Sequence, residues 1–270
     1  MKTRLISAAV LIPILLIILW ALPKIVFAIL VGVMAAIAAY ELLYMTGYVR
    51  HIRLVAYCMA SAFLMSLWSF FDMHHGWGQL GVVVFISLLF GEMMHNHVKV
   101  RFEKLCLCVI GGLLIPYLLT ALVRIMGTYQ GRFTVCIPFV LAFLPDSGAY
   151  FAGKYFGKHK LAPVVSPNKT IEGAVGGALA GILGMLLYAL IMDFAFSRQV
   201  SYAYALLYGF VGAGADVFGD LMFSAIKRQI GIKDYGTLIP GHGGILDRFD
   251  SMMMVAPLME VLLILLPVVV

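Results

Sequence analysis

Most of the chain consists of apolar runs about 20 residues long, each able to cross a lipid bilayer as an α-helix. Only 12% of the 270 residues are charged, about half the share in a soluble domain, and the mean hydropathy is +1.02. Membrane-spanning strands would need short segments that alternate apolar and polar residues, and the sequence has none. The pattern predicts an all-α polytopic membrane protein with about nine transmembrane helices.

The predicted spans are separated mostly by short links. They are residues 5–22, 25–45, 54–71, 78–95, 105–127, 133–152, 171–196, 202–226 and 252–270. The first run follows Met-Lys-Thr-Arg but has no clear small-residue cleavage site, so we interpret it as a retained helix. Without a linker or long repeat, we predict one integral membrane domain over 1–270, with scaffold spans in 1–130 and catalytic spans and loops in 131–270.

Lysines and arginines are divided unequally between the two sides that these spans define. If the N-terminus is cytoplasmic, 15 of the 19 lie on the cytoplasmic side and only four lie outside: Lys24, Arg124, Arg132 and Arg198. Because cytoplasmic loops of membrane proteins are rich in positive charge, we predict a cytoplasmic N-terminus and cytoplasmic polar segments at 153–170 and 227–251. The net charge of +6 is therefore interpreted as a topology signal, not as a sign of nucleic-acid binding.

The polar segment Ser224–Asp250 combines charge with backbone freedom. Its 27 positions hold three carboxylates, one histidine, six glycine or proline residues, and four cations: Lys227, Arg228, Lys233 and Arg248. Such cations bind phosphates, and the glycines of Pro240-Gly-His-Gly-Gly244 allow the backbone N–H groups to approach a ligand. His242 is compatible with a general base, a phosphate hydrogen-bond donor or a structural residue.

Aspartates gather around the same segment. Asp216 and Asp220 are four residues apart on one face of span eight, Asp247 and Asp250 open span nine, and Asp146 lies near the end of span six. Carboxylates inside a membrane span are costly and usually face a cavity, a cation or a partner. Hard oxygen ligands of this kind suit Mg²⁺. A helix-packing salt bridge is the alternative interpretation of the pair in span eight.

The polar segment at 153–170 has the composition of an anion site. Ser166 before Pro167 predicts a helix that begins here, with Ser166 as its N-cap and with Lys169 and Thr170 in its first turn. A helix N-terminus beside a lysine binds anions. A basic loop that only contacts anionic headgroups is the alternative, but it does not account for the residues from Ser166 to Thr170.

Two other features of the spans are interpreted as structural. Three glycines at four-residue spacing in span seven, Gly173, Gly177 and Gly181, are typical of a seam of close helix packing. Isolated charges elsewhere are interpreted as packing or interface charges: Glu41, Glu92, Arg124 and Glu260.

Four blocks of the polar segment together resemble the signature of the phosphatidate cytidylyltransferases (CDP-diacylglycerol synthases): Ser224-x-x-Lys-Arg228, Lys233-Asp234, Pro240-Gly-His-Gly-Gly244 and Asp247-Arg-x-Asp250. Further blocks are similar to that family: Arg4-Leu-Ile-Ser-Ala8, Asp146-Ser-Gly-Ala-Tyr150, Gly157-Lys-His-Lys-Leu161, Ser166-Pro-x-Lys-Thr-x-Glu-Gly173 and Gly219-Asp-Leu221. The resemblance is strong over residues 140–255. The chain departs from it at Phe223, where the family often has Glu, and at Pro145, where a small residue is more usual.

The resemblance implies Mg²⁺-dependent transfer of CMP from CTP to phosphatidic acid, giving CDP-diacylglycerol and pyrophosphate, at the cytoplasmic face of a bacterial inner (plasma) membrane. The catalytic residues that it implies are Lys227, Arg228, Lys233, His242 and Arg248. The implied substrate-binding residues are Ser166, Lys169, Thr170, Ser224, Gly243 and Gly244. The implied Mg²⁺ ligands are Asp220, Asp247, Asp146 and Asp250.

The expected partners are CTP, phosphatidic acid and membrane lipids, with no nucleic acid; a second cation and a homodimer stay open. One alternative function is a CTP-dependent lipid kinase of the polyprenol type, which would transfer the γ-phosphate and release CDP. The other is an ion-coupled transporter, which would show inverted repeats with paired broken helices. The sequence contains no such matching halves.

Overall fold

The computed structural model describes residues 13–71, 75–238 and 243–269. The chain forms two compact units. The first unit comprises Met1–Gly127 and Ile232–Arg248, and the second comprises Thr128–Gly231 and Phe249–Val270. The loop that carries Asp247 therefore belongs to the same unit as the N-terminal helices.

The first unit is built from α-helices and, among its described residues, two π-helical turns. Its helices are residues 13–20 (α1), Lys24–Tyr40 (α2), Ile52–Phe71 (α3), His75–His95 (α4), Phe102–Val109 (α5), Ile115–Leu119 (α6) and Ala121–Gly127 (α7). The π-helical turns are Glu41–Met45, after α2, and Ile110–Leu114, between α5 and α6. The segment Ile232–Arg248 adds a loop to this unit.

Small and hydroxyl side chains let the helices of the first unit approach closely. The Ser66 hydroxyl on α3 donates to the Ala28 carbonyl on α2 at 2.7 Å. The Ser61 hydroxyl donates to the carbonyl of Gly112 in the second π-helical turn at 2.9 Å. These bonds satisfy polar groups inside an apolar bundle, where an unpaired polar group is costly.

The second unit combines helices with one β-hairpin. Its helices are Gly131–Thr134 (α8), Cys136–Phe156 (α9), Ile171–Phe196 (α10), Tyr202–Ile230 (α11) and Met252–Leu265 (α12). The strands Lys160–Ala162 (β1) and Ser166–Thr170 (β2) are antiparallel, and an irregularity of the register lies between Lys160 and Ala162. The hairpin connects α9 to α10 and places β2 directly before α10.

The glycine seam predicted for α10 is confirmed. A Cβ atom added to Gly173 would lie 3.0 Å from the Ala149 carbonyl oxygen of α9, and one on Gly177 would lie 3.0 Å from that of Pro145. A Cβ atom on Gly181 would lie 2.9 Å from a carbonyl oxygen of α11. Side chains at these positions would force α10 away from its neighbours, so the glycines set the spacing of the second unit.

Seven helices among the described residues are long and apolar enough to cross a membrane: Lys24–Met45, Ile52–Phe71, Gly76–His95, Phe102–Gly127, Gly131–Phe156, Ile171–Phe196 and Tyr202–Ile230. They correspond to predicted spans two to eight, and the chain is a helical multi-pass membrane protein. The first predicted span begins outside the described residues. The last, at 252–270, contains a 14-residue helix, about 21 Å long, which is shorter than the hydrocarbon core.

The prediction that a helix begins at Ser166 is wrong. Ser166 opens β2 and pairs with Ala162, and the helix begins at Ile171. Thr170 is the N-cap, because its side-chain oxygen accepts a hydrogen bond from the Gly173 N–H at 3.0 Å. Ser166 and Thr170 both carry a hydroxyl group. Because Ser166 is paired within the strand, Thr170 is the residue that precedes the helix.

Candidate active site

One face of α11 carries a row of polar side chains. The row consists of Asp216, Asp220, Ser224 and Lys227. Because these residues are three or four positions apart, their side chains point in one direction. Asp216, Ser224 and Lys227 are buried, whereas Asp220 is partly exposed. A helix long enough to span a membrane therefore presents a polar stripe toward its C-terminal end.

Asp220 connects α11 to the hairpin. Its Oδ1 atom accepts a hydrogen bond from the Ser224 hydroxyl at 3.1 Å, and its Oδ2 atom pairs with the Lys169 ammonium of β2. About a quarter of each paired side chain is exposed to solvent. The pair thus brings together two predicted site residues from distant parts of the sequence.

A second lysine–aspartate pair lies about two turns further along α11. The Lys227 Nζ atom is 3.8 Å from Asp250 Oδ2, and both side chains are nearly buried. Asp250 Oδ1 accepts a hydrogen bond from the Ser251 N–H at 2.9 Å. Gly219 lets the backbone of Asp250 and Ser251 lie against α11, because a Cβ atom at Gly219 would lie 2.9 Å from Ser251 Cα. The glycine of the Gly-Asp-Leu block therefore has a packing role.

Asp216 is the most deeply buried carboxylate of the stripe, with 1% of its surface exposed. Among the described residues, its Oδ1 atom has no hydrogen-bond partner. Asp146 of α9 and Asp220 are close enough for their negative charges to act on it, as is the positive charge of Lys169. Such an excess of negative charge around a buried oxygen favours the approach of a cation.

The donor set of the second unit fits Mg²⁺ bound together with a substrate. Its acidic side chains are all hard carboxylates, and the described part of the chain contains no group of three or more His, Cys, Asp or Glu residues placed to hold a metal. Mg²⁺ typically binds one or two carboxylates and completes its shell with phosphate oxygens and water. Asp220 and Asp250 provide carboxylates of that kind, and Asp146 is close enough to act on Asp216.

The hairpin is fastened by residues with different functions. Thr170 is buried and caps α10, as described above. The Arg228 Nε atom donates to the Val165 carbonyl oxygen at 3.3 Å, which ties α11 to the hairpin turn. Glu172 accepts hydrogen bonds from the Lys158 N–H at 3.1 Å and from the His159 ring at 2.6 Å. Sequence reasoning missed Glu172 individually, although it belongs to the quoted block that ends at Gly173.

In the first unit, Asp247 is held by the backbone of its own loop. Its Oδ2 atom accepts hydrogen bonds from the Tyr235 N–H at 2.7 Å and from the Gly244 N–H at 3.0 Å. Gly243 has a φ of +82°, a backbone conformation that favours glycine. Only 4% of Asp247 is exposed. The carboxylate therefore closes the loop.

The remaining residues predicted from the polar segment have different surroundings. Lys233 and Arg248, in the first unit, are exposed. Gly244 is buried and Gly243 is partly buried. His242 lies outside the described residues, and its role stays a prediction.

Glu41 is a polar residue whose contacts were not predicted. It is the first residue of the π-helical turn after α2, and 3% of it is exposed. Its two oxygens accept hydrogen bonds from the Ile245 N–H at 3.0 Å and from the Leu246 N–H at 2.8 Å. The signal was present in the sequence, because a lone carboxylate in an apolar span needs donors.

The fold and the site define a class: a helical multi-pass membrane protein with lysine–aspartate pairs at the polar end of one membrane helix. The sequence profile of the Cytidylyltransferase family matches residues 2–266. The chain belongs to this family, which confirms the resemblance drawn from its motifs.

Among its relatives are three bacterial proteins named phosphatidate cytidylyltransferase. The one from Staphylococcus saprophyticus is 43% identical over 135 residues, and those from Staphylococcus aureus (strain COL) and Staphylococcus epidermidis are each 44% identical over the same length. Each match covers 50% of this chain and 50% of the relative. The chain thus spans about half the length of the curated relatives it matches.

Proposed function

We propose that this chain transfers CMP from CTP to phosphatidic acid, producing CDP-diacylglycerol and pyrophosphate. The observation that carries the proposal is the pair of lysine–aspartate contacts at the polar end of α11, Lys169–Asp220 and Lys227–Asp250. Together they supply cations for phosphates and hard oxygens for Mg²⁺ beside a membrane span. The names of the Staphylococcus relatives support the choice of substrates.

The reaction needs no covalent nucleophile from the protein. An oxygen of the phosphatidic acid phosphate forms a bond to the α-phosphorus of CTP, and the bond from that phosphorus to the bridging oxygen of pyrophosphate breaks. Negative charge develops on the departing pyrophosphate. Fixed positive charges stabilise such a transition state most effectively when they are already in place.

The residues of the second unit divide this work. Lys169 and Lys227 orient the CTP phosphates, and Arg228 adds positive charge at the same end of α11. Asp220 would hold Mg²⁺ together with phosphate oxygens, and the ion would offset the negative charge of the triphosphate. Further binding of Mg²⁺ by Asp146 and Asp250 stays a prediction. Ser224 orients Asp220 through its hydroxyl. For the other residues named from the sequence, the functional roles stay predictions: Ser166, Thr170, Lys233, His242, Gly243, Gly244, Asp247 and Arg248.

We further propose that the N-terminus and the active site face the cytoplasm, in a bacterial inner (plasma) membrane, and that about nine helices cross that membrane. The unequal distribution of lysine and arginine supports this orientation. CTP is a cytoplasmic nucleotide and phosphatidic acid is a membrane lipid, so the substrates would meet at that surface. The binding of a second cation and the formation of a homodimer stay predictions.

The test is a label-transfer assay with purified protein in lipid nanodiscs that contain phosphatidic acid. With Mg²⁺ present, label from α-³²P CTP should enter the lipid, and label from γ-³²P CTP should be released as pyrophosphate. Transfer of the γ-label to lipid, with release of CDP, would instead identify a lipid kinase. The proposal would be refuted if neither label reached the lipid and no pyrophosphate formed.

A further inference from the structure

Glu41 occupies a position where a carboxylate is expensive. It lies at the end of a long apolar helix of the first unit, and it is almost completely buried. A buried ionised group needs hydrogen bonds or a partner charge to compensate for lost hydration. The contacts of Glu41 should therefore indicate what its burial accomplishes.

Those contacts are with one short stretch of backbone. Glu41 Oε1 accepts from the Ile245 N–H at 3.0 Å, and Oε2 accepts from the Leu246 N–H at 2.8 Å. The preceding N–H, that of Gly244, donates to Asp247 Oδ2 at 3.0 Å. Three successive amides are thus directed at two carboxylates, and together they fix the backbone just before Asp247.

Two glycines allow this approach. A Cβ atom added to either Gly236 or Gly244 would overlap the Glu41 carboxylate. The loop therefore lies directly against the carboxylate at two points that are separated in sequence. The fit requires glycine at both positions, which is a more specific arrangement than a single hydrogen bond.

The π-helical turn contributes to this geometry. Glu41 is its first residue, directly after the regular helix α2. A π-helical turn changes the direction of side chains relative to a continuous α-helix and is frequent at functional sites. The turn ends at Met45, before the chain enters α3.

We infer that Glu41 is a positioning residue, which holds the backbone at Gly236 and at residues 244–246 so that Asp247 is presented in one fixed orientation. The inference rests on the proposed function only in assigning Asp247 a part in CMP transfer. The hydrogen bonds to Ile245 and Leu246 fix the loop whatever the reaction is. Glu41 acts through the loop.

Hydrogen exchange of the full-length protein in nanodiscs tests the positioning role directly. In Glu41→Gln, the amide oxygen can still accept, but the charge and the second oxygen acceptor are lost. We expect the peptide covering residues 235–248 to exchange about 10-fold faster in this variant and about 100-fold faster in Glu41→Ala, in line with the loss of one or two charge-assisted hydrogen bonds. Glu92→Gln is the matched control, because Glu92 is also a buried carboxylate of the first unit but pairs with Arg53 at 3.3 Å.

Steady-state kinetics on the same variants separate positioning from general destabilisation. We expect Glu41→Gln to raise the Mg²⁺ concentration needed for half-maximal rate several-fold and to lower kcat about 10-fold, with little change in KM for CTP. Glu92→Gln should leave these values at wild-type levels. Gly244→Ala, which keeps Glu41 but pushes the loop away from it, should raise exchange in the same peptide.

The outcomes distinguish the two proposals. Unchanged exchange at 235–248 in both Glu41 variants would overturn the positioning role, even in an active enzyme. The other outcome is faster exchange in the Glu41 variants together with a wild-type protein that transfers no CMP. That outcome would support the positioning role and overturn the proposed function. If Glu41→Ala fails to fold, Glu41→Gln and Gly244→Ala provide the same comparison.

Discussion

Two carboxylates of the second unit and two of the first unit have different kinds of partner. In the second unit, Asp220 and Asp250 face the ammonium groups of lysines. In the first unit, Asp247 and Glu41 accept hydrogen bonds from backbone N–H groups. The chemical group is the same, but the partner differs in how far it can move.

The mobility of the partner determines what each carboxylate can do. A lysine has a flexible stem of four carbons, so its ammonium group can turn from an aspartate to a phosphate without disturbing the backbone. A backbone N–H can leave its acceptor only if the loop changes shape. The lysine pairs therefore suit the binding of a phosphate substrate, whereas the amide-held carboxylates are kept in fixed positions.

Removal of the Asp220 charge should have the largest effect on activity. We expect Asp220→Asn to lower kcat by about 10²- to 10³-fold, the range seen when one electrostatic group of an active site is lost. The melting temperature should stay the same or rise, because the partly exposed pair with Lys169 stabilises little and the repulsion between Asp220 and Asp216 is relieved. Rate assays and thermal melts in detergent measure both quantities.

The matched control for this prediction is Asp193→Asn. Asp193 is an aspartate of the same unit, on α10, and it accepts a hydrogen bond from the Tyr202 hydroxyl at 2.9 Å. Its replacement should leave kcat within a few-fold of wild type. An Asp220→Asn protein with near-normal kcat would contradict the catalytic assignment of the lysine-paired carboxylates.

Asp247→Ala should differ from Asp220→Asn by also destabilising the protein. It leaves the buried N–H groups of Tyr235 and Gly244 without their acceptor, which costs about 1–3 kcal/mol for each group. We expect a loss of about 2–5 kcal/mol in unfolding free energy, measured by denaturant melts, and faster exchange at 235–248. Asp247→Asn keeps one acceptor oxygen and should recover much of the stability. Equal stability of the alanine and asparagine variants would contradict the loop-closing role.

Sequence patterns predicted the features that depend on local periodicity. The apolar runs gave the seven long spans, because burial in lipid requires an uninterrupted apolar helix of known length. The spacing of Gly173, Gly177 and Gly181 gave the packing seam, because residues four apart lie on one helical face. The motif residues Asp220, Ser224 and Lys227 share a face of α11 for the same reason.

Features that depend on contacts between distant segments were not predictable in the same way. Glu41 and Leu246 are 205 positions apart, and no pattern within either segment indicates the other. The Lys169–Asp220 pair depends on a hairpin in place of the predicted helix start. Ser166 was predicted as the N-cap of that helix, and its strand pairing with Ala162 excludes it from that position.

Lys169→Met should have a smaller effect than loss of Asp220, and mainly on binding. Methionine keeps the length of the side chain but removes the charge that we assign to the CTP phosphates. We expect KM for CTP to rise about 10- to 100-fold, as for one lost charged hydrogen bond, with a smaller change in kcat. Steady-state kinetics over a range of CTP concentrations measure both.

Lys160→Met is the control for Lys169→Met. Lys160 lies on the partner strand of the same hairpin and is exposed. The variant should keep the wild-type KM. A similar rise in KM for both variants would indicate that the hairpin attracts CTP through its overall charge, and that the Asp220-paired lysine has no special role.

Thr170 provides the smallest and most discriminating test, because it is a group of the second unit that contacts a backbone N–H. The sequence placed it among the substrate-binding residues, whereas its oxygen caps α10 through Gly173. We expect Thr170→Val to lower stability by about 1 kcal/mol without changing KM for CTP, and Thr170→Ser to restore the stability. A rise in KM without loss of stability would instead place Thr170 with the ligand-binding groups and weaken the division between side-chain-paired and amide-held residues.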